Sequence, residues 1–104
     1  MPEIATISGR SKYQEDISTL AAGTEVIGEP CTVREITVTS DTAGVAVLNI
    51  SDSSGSYDST SRVIKVVISG EGTQQLTFPK GKFFSSGLCA VSNKPSINVA
   101  VSYD

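Results

Sequence analysis

Apolar and polar residues alternate through most of this chain, in short runs separated by clusters of Gly, Pro, Ser, Asn and Asp. Alternation with period two sends successive side chains to opposite faces of an extended backbone, so each run predicts a strand with one buried face. The clearest lies over 32–39, with Ile36 and Val38 inward and Glu35, Thr37 and Thr39 outward. Residues 45–51 are apolar on both faces, Ala46, Leu48 and Ile50 against Val45 and Val47. That marks a central strand, or one whose outer face is covered by an arm or a neighbouring subunit. Residues 62–69 are rich in β-branched side chains, with Ile64, Val66 and Ile68 opposed to Val63, Lys65 and Val67. Further strands are predicted over 24–27, over 73–78 with Leu76 and Phe78 inward, over 88–92 and over 97–103. Residues 1–11 alternate briefly and read as an arm or a first strand. Tyr13, Ile17 and Leu20 stand at helical spacing, but Ser and Thr among them and the lack of caps favour extended structure.

The separators predict turns. Ala21-Ala22-Gly23 and Gly28-Glu29-Pro30 bound the strand at 24–27, Ser40 to Gly44 reads as a hairpin loop, and Gly70-Glu71-Gly72 as a tight turn. Asp52 to Ser61 is the longest polar segment and is expected as an exposed loop. Near the end, Phe78-Pro79 closes an apolar run, Gly81 turns the backbone, Phe84 re-enters the interior, Gly87-Leu88 launches the next strand, and Tyr103 closes the last one. Turn signals at regular intervals between short strands are the mark of an all-β sandwich or barrel. The expected fold is all-β, a single antiparallel β-sandwich of about seven or eight strands, Ig-like or jelly-roll, the pattern alone leaving both open. Residues 1–30 are expected to form an N-terminal arm and the first short strands, and 31–104 the sandwich body, one domain overall.

Composition narrows the function classes. A chain of 104 residues closes one core. Its eight basic residues are scattered against a net charge of −3, whereas phosphate backbones are held by clustered Lys and Arg, so no nucleic-acid partner is expected. The start Met-Pro-Glu-Ile lacks the basic and apolar regions of a signal peptide, and no apolar run is long enough for a bilayer; use without Sec-type export and without a membrane is expected. Cys31 and Cys89 then read as free, buried and inert thiols.

There is no histidine. A Ser-His-Asp or Cys-His nucleophile and a His-based metal site cannot be assembled without one. No Gly-rich phosphate loop is present, and the candidate carboxylate pairs, Glu15 with Asp16 and Asp52 with Asp58, fall in polar segments where nothing would shift their pKa usefully. The loop containing Asp52, Ser54, Gly55, Ser56 and Asp58 faintly echoes a calcium loop but lacks its closing Glu. No enzyme, cofactor or metal is expected. Phe78 and Phe84 fit the core, whereas Phe83 has the opposite parity and is expected exposed or buried in a subunit contact. Tyr57, at the tip of the polar loop, could touch a partner or a sugar. Ile4, Ile7, Tyr13, Tyr57 and Phe83 are therefore the candidate partner-binding residues. Phe78, Pro79, Gly81, Phe84, Gly87, Leu88 and Tyr103 are the structural turn and core set.

From Cys31 to Tyr103 the chain resembles the small β-sandwich structural proteins encoded among the virion genes of tailed bacteriophages, especially those of cyanobacteria and marine bacteria. Three features carry the likeness: the strand and loop Val45 to Gly55, with one residue altered in spacing; the β-rich strand Arg62 to Ser69 after a Ser/Thr loop; and Phe78-Pro79-Lys80-Gly81-Lys82-Phe83-Phe84-Ser85-Ser86-Gly87-Leu88 leading to Tyr103. Turn punctuation and core spacing are what match, and residues before Cys31 depart most. The resemblance implies a non-enzymatic virion component made in the host cytoplasm, above all a capsid decoration or cement protein. A neck, tail or fibre component is its alternative, and a carbohydrate or cell-surface recognition module the reading of a different class. It implies the major capsid protein or another virion protein as partner, a homo-oligomer, and no active site.

Overall fold

The alternating runs at 24–27, 32–39, 45–51, 62–69, 73–78, 88–92 and 97–103 become strands. A computed structural model describes residues 9–104, and among them the strands are β1 (Arg10–Gln14), β2 (Thr24–Ile27), β3 (Cys31–Ser40), β4 (Val45–Asp52), β5 (Arg62–Ser69), β6 (Gly72–Phe84), β7 (Leu88–Ser92) and β8 (Ile97–Tyr103), with one 3₁₀ turn at Ser59–Ser61. The first sheet has the order β1-β8-β3-β6 and the second β2-β7-β4-β5, all pairings antiparallel.

The pairs β1·β8, β2·β7, β3·β6 and β4·β5 are nested: the chain is one long hairpin, folded back at 53–61 and rolled so that successive rungs fall in opposite sheets. That is a jelly-roll, and the Ig-like grouping of strands is excluded. The same order corrects one sequence expectation. Ser40 to Gly44 is not a hairpin loop, because β3 and β4 lie in different sheets; β4 and β5 are the only sequence neighbours that pair among the described residues. Short polar loops look alike in sequence whether they join paired strands or span the sandwich.

The inward faces meet as the alternation predicts except in β3, where an irregularity between Val33 and Glu35 turns Val33 to the same face as Ile36 and Val38 although its parity differs. Val33, Ile36 and Val38 of β3, Ile50 of β4 and Val99 of β8 are fully buried. Each such side chain is worth about 1.5–3 kcal/mol in removal from water. Residues 10–27 are built into this sandwich. β1 and β2 supply one outer strand to each sheet, and Ile17 between them is buried and donates its N–H to the Ile97 carbonyl at 2.9 Å. At the other end, Asp104 N–H donates to the Thr32 carbonyl at 2.8 Å, and its carboxylate meets Arg34 Nη2 at 2.6 Å.

The Pro79-Gly81 punctuation has a different structural meaning from the expected one. It does not separate two strands; it lies inside the 13-residue β6, where the register to β3 jumps from Lys82 opposite Val33 to Thr77 opposite Glu35. Pro79 cannot donate a ladder hydrogen bond, and Gly81 adopts a φ of +76°, so the segment bulges out while the strand continues beyond it. A Cβ on Gly81 would sit 2.5 Å from Thr32 Cγ2. Phe84, Leu88 and Tyr103 are buried as expected, and Phe78 is half-buried against the core.

Candidate functional site

The outer faces of the two sheets differ in chemistry. On the first sheet, Thr37, Thr39, Ala100, Ser102, Thr77 and Gln75 share the outward parity, giving a face of hydroxyls and small groups. The second sheet is covered over β2 and β7 by the 53–61 loop and bare over β4 and β5, where Val45, Val63 and Val67 are exposed.

The 53–61 loop is built, not merely connected. Tyr57 N–H donates to the Ala22 carbonyl at 2.7 Å, and Gly55 N–H to the Glu25 carboxylate, which ties the loop to the turn before β2 and to β2 itself. Ser53 Oγ bonds Ser51 Oγ at 2.7 Å and donates to the Ser56 carbonyl at 2.8 Å, while Asp58 N–H donates to Ser51 Oγ at 3.2 Å. Asp58 then caps the 3₁₀ turn, accepting from Thr60 N–H at 3.0 Å and Thr60 Oγ1 at 2.7 Å. Those Thr60 donors, with Ser61, hold the Asp58 carboxyl below its ordinary range. The expected free loop is thus an Ω-like flap folded back on the sheet.

Beneath the flap opens a shallow pocket of about 560 Å³ lined by Ala21, Tyr57, Asp58, Val91 and the serines at 53, 54, 56 and 59. Its volume falls in the range of small-molecule sites, and hydroxyls, one carboxylate and one aromatic ring make it a surface for neutral, hydroxyl-bearing groups. It holds no Arg or Lys to attract an anion. Next to it, cross-strand from Val91, Asn49 keeps its Oδ1 buried without a partner among the described residues.

Asp52, at the end of β4, organises the β6–β7 connection. Its Oδ2 accepts from Ser85 N–H and Ser85 Oγ, both at 3.0 Å, and its Oδ1 from Ser86 N–H at 2.8 Å. Partial desolvation pushes this carboxyl up, but the donors of Ser86, Ser85 and Gly87 together outweigh it and hold the group below the usual carboxylate range. Asp52 is a clamp between β4 and the β6–β7 connection. No group of three or more His, Cys, Asp or Glu placed to hold a metal occurs among the described residues. Nor is any helix there long and apolar enough to cross a membrane.

The candidate contact residues do not converge. Ile4 and Ile7 lie outside the described residues. Tyr13 is 57% exposed on the outer face of the first sheet, opposite Ala100; desolvation and the carboxylates Glu15, Asp41 and Asp16 push its phenol up. Phe83 is 65% exposed on the same sheet, opposite Thr32, in a row well removed from that of Tyr13. Tyr57 lies in the flap over the other sheet and is half-buried, with its Cβ packed on Gly23. The lining contributed by Ala21 and Val91, and the anchor Glu25, carried no signal in the sequence, because each acts through a neighbour more than 30 residues away in the chain or through a backbone amide.

Both cysteines are free and buried. Burial pushes the Cys31 thiol up, and burial likewise raises Cys89, whose Sγ donates to the Ser53 carbonyl at 3.3 Å. Neither is poised as a nucleophile. Comparison with protein-family models, with curated proteins and with solved structures finds no match to this chain.

Proposed function

We propose that this protein is a non-enzymatic structural component of a tailed-phage virion, a decoration or cement protein seated on the head shell through the outer faces of its sheets. The observation that carries the reading is the nested strand order β1-β8-β3-β6 over β2-β7-β4-β5. Jelly-rolls of this kind recur in viral capsid and lectin domains, a fold-level analogy that joins the resemblance of Val45 to Leu88 to phage virion proteins. Physical support comes from two broad faces of different chemistry, one of Thr and Ser and one of Val, each suited to repeated shallow contacts in an array. The partner is the major capsid protein or another virion protein, and the particle is where the protein resides. A neck, tail or fibre position fits the same surfaces.

Mass spectrometry of purified particles, with microscopy to place the density, tests this reading. The expected result is the protein present in many copies per head; its absence from purified particles would overturn it. A second reading, recognition of a surface glycan, is favoured by the hydroxyl-lined pocket under the flap. Binding of a neutral glycan that is lost in Tyr57→Ala would support it, and an unresponsive glycan array would remove it.

A further inference from the structure

The four sheet edges are not alike. β1 places Lys12 on its inward parity, opposite Val101, and exposes it. β6 carries Pro79 and the bulge, and β2 has four residues with an irregular register. Inward charges, bulges, proline and shortness all keep an edge from accepting another strand. β5 has only a register shift at its first residues, where Ser51 meets Arg62. From Ile64 to Ser69 it runs regularly, with no Pro, no Gly and no inward charge, and pairs with β4 on one side alone. On the other side a groove of about 220 Å³, lined by Lys65, Val66, Val67, Gln74 and Leu76, leaves its backbone open.

We propose that this edge pairs with the same edge of a second copy, β5 antiparallel to β5 about a two-fold axis, joining two four-stranded sheets into one of eight. Charge selects a second copy over an unrelated strand. Antiparallel pairing lays the start of one β5 beside the end of the other, which brings Arg62 of each copy next to Glu71 of the other. Both residues are exposed, and neither makes an ion pair among the described residues. Register points the same way. Keeping inward residues on one face puts a residue on the axis, and keeping the middle of β5 paired makes that residue Lys65, Val66 or Val67. With Lys65 there, two ammonium groups oppose each other. With Val67 there, Ile64, the half-buried apolar residue of the strand, meets Gly70 and finds no side chain. With Val66 there, Ile64 meets Ile68, and Lys65 lies across from Val67 of the second copy. The contact is isologous, so each favourable pair occurs twice. A strand edge buries little area, so the dimer is weak and concentration-dependent.

Sedimentation equilibrium of the full chain over a wide concentration range tests this independently of the particle assay, which can fail without it. The expected mass rises toward twice the 10.8 kDa of the chain. Val67→Lys sets Lys against Lys65 twice per dimer and is expected to raise the dissociation constant about tenfold. Val67→Glu sets Glu against Lys65 and should leave the dimer as tight or tighter. Arg62→Glu should weaken it, and adding Glu71→Arg should restore it. Val67 is 52% exposed, so these variants keep the fold, which circular dichroism checks. A monomer at every concentration overturns the proposal. So does equal weakening by Val67→Lys and Val67→Glu, which would indicate contact through the valine face. Dissolution on removing residues 1–8, with Val67→Lys neutral, overturns it as well and assigns the contact elsewhere.

Discussion

Asp52, the last residue of β4, accepts the backbone N–H of Ser86 at 2.8 Å and thereby fixes the path by which the chain leaves the first sheet for the second. The β6–β7 connection has to turn without ladder partners of its own, and the carboxylate supplies the acceptors its amides would otherwise lack. One side chain thus joins the end of β4 to the crossing between sheets.

Replacing Asp52 with Asn should destabilise the protein by about 1 kcal/mol, the side chain being only half-buried and partly screened by solvent. The direction of its pKa fixes the pH dependence. A carboxyl lowered in the folded state gives its full contribution above the unfolded value, near pH 4, and loses it as pH falls through the lower folded value. Chemical denaturation between pH 2 and 7 should therefore show a shallower acid limb for Asp52→Asn than for the parent. An unchanged acid limb would mean that the clamp does not contribute.

Gly87, one residue on, has a φ of +150°, and a Cβ there would run into the Ile27 carbonyl oxygen and lie 3.0 Å from that of Ser53. Gly55 in the flap has a φ of +84° but open space where a Cβ would go. Gly87→Ala combines strain with a backbone collision and should cost about 3 kcal/mol or more, whereas Gly55→Ala carries strain alone and should cost about 1 kcal/mol. Urea midpoints of the two variants check the order, and equal costs would refute the packing argument.

Much of this fold was legible because β8 alternates with period two, and Ile36 and Val38 of β3, Ala46, Leu48 and Ile50 of β4, and Val66 and Ile68 of β5 recur at every second position on the buried face. Pairing was not legible. The loops at 40–44 and 70–72 have hairpin composition, yet both cross between sheets, since the partner of each strand is set by nested contacts between distant segments. Pro79 and Gly81 were recognised as a break in the ladder, but a bulge and a turn require the same residue types. Tyr57 lies in a loop expected to be exposed, yet it is half-buried: Ala22 and Glu25 anchor the flap through backbone amides, and an amide leaves no trace in side-chain pattern.

Phe83 and Phe84 are chain neighbours with opposite fates, 65% exposed and fully buried. Phe84→Ala should cost about 3–5 kcal/mol, enough to unfold much of a domain this size, and Phe83→Ala should stay within about 0.5 kcal/mol. If Phe83 instead meets a virion partner, its loss appears in particle incorporation and not in thermal melting. Measuring both for the pair separates packing from recognition.

The thiols give the last expectation. Cys89 lies on the outward parity of β7, where a bare sheet would expose it, yet it is fully buried because the flap covers it and Ser53 accepts its S–H. Cys31 is buried from the other direction, on the inward face of β3. A thiol reagent added to native protein at pH 8 should therefore modify neither at the rate of a free thiol, and both should react once the protein is unfolded. Loosening the flap by Glu25→Ala, which removes the acceptor for Gly55 N–H, should speed modification of Cys89 and leave Cys31 protected. Equal acceleration at both cysteines would show that the flap opens only with the whole sandwich.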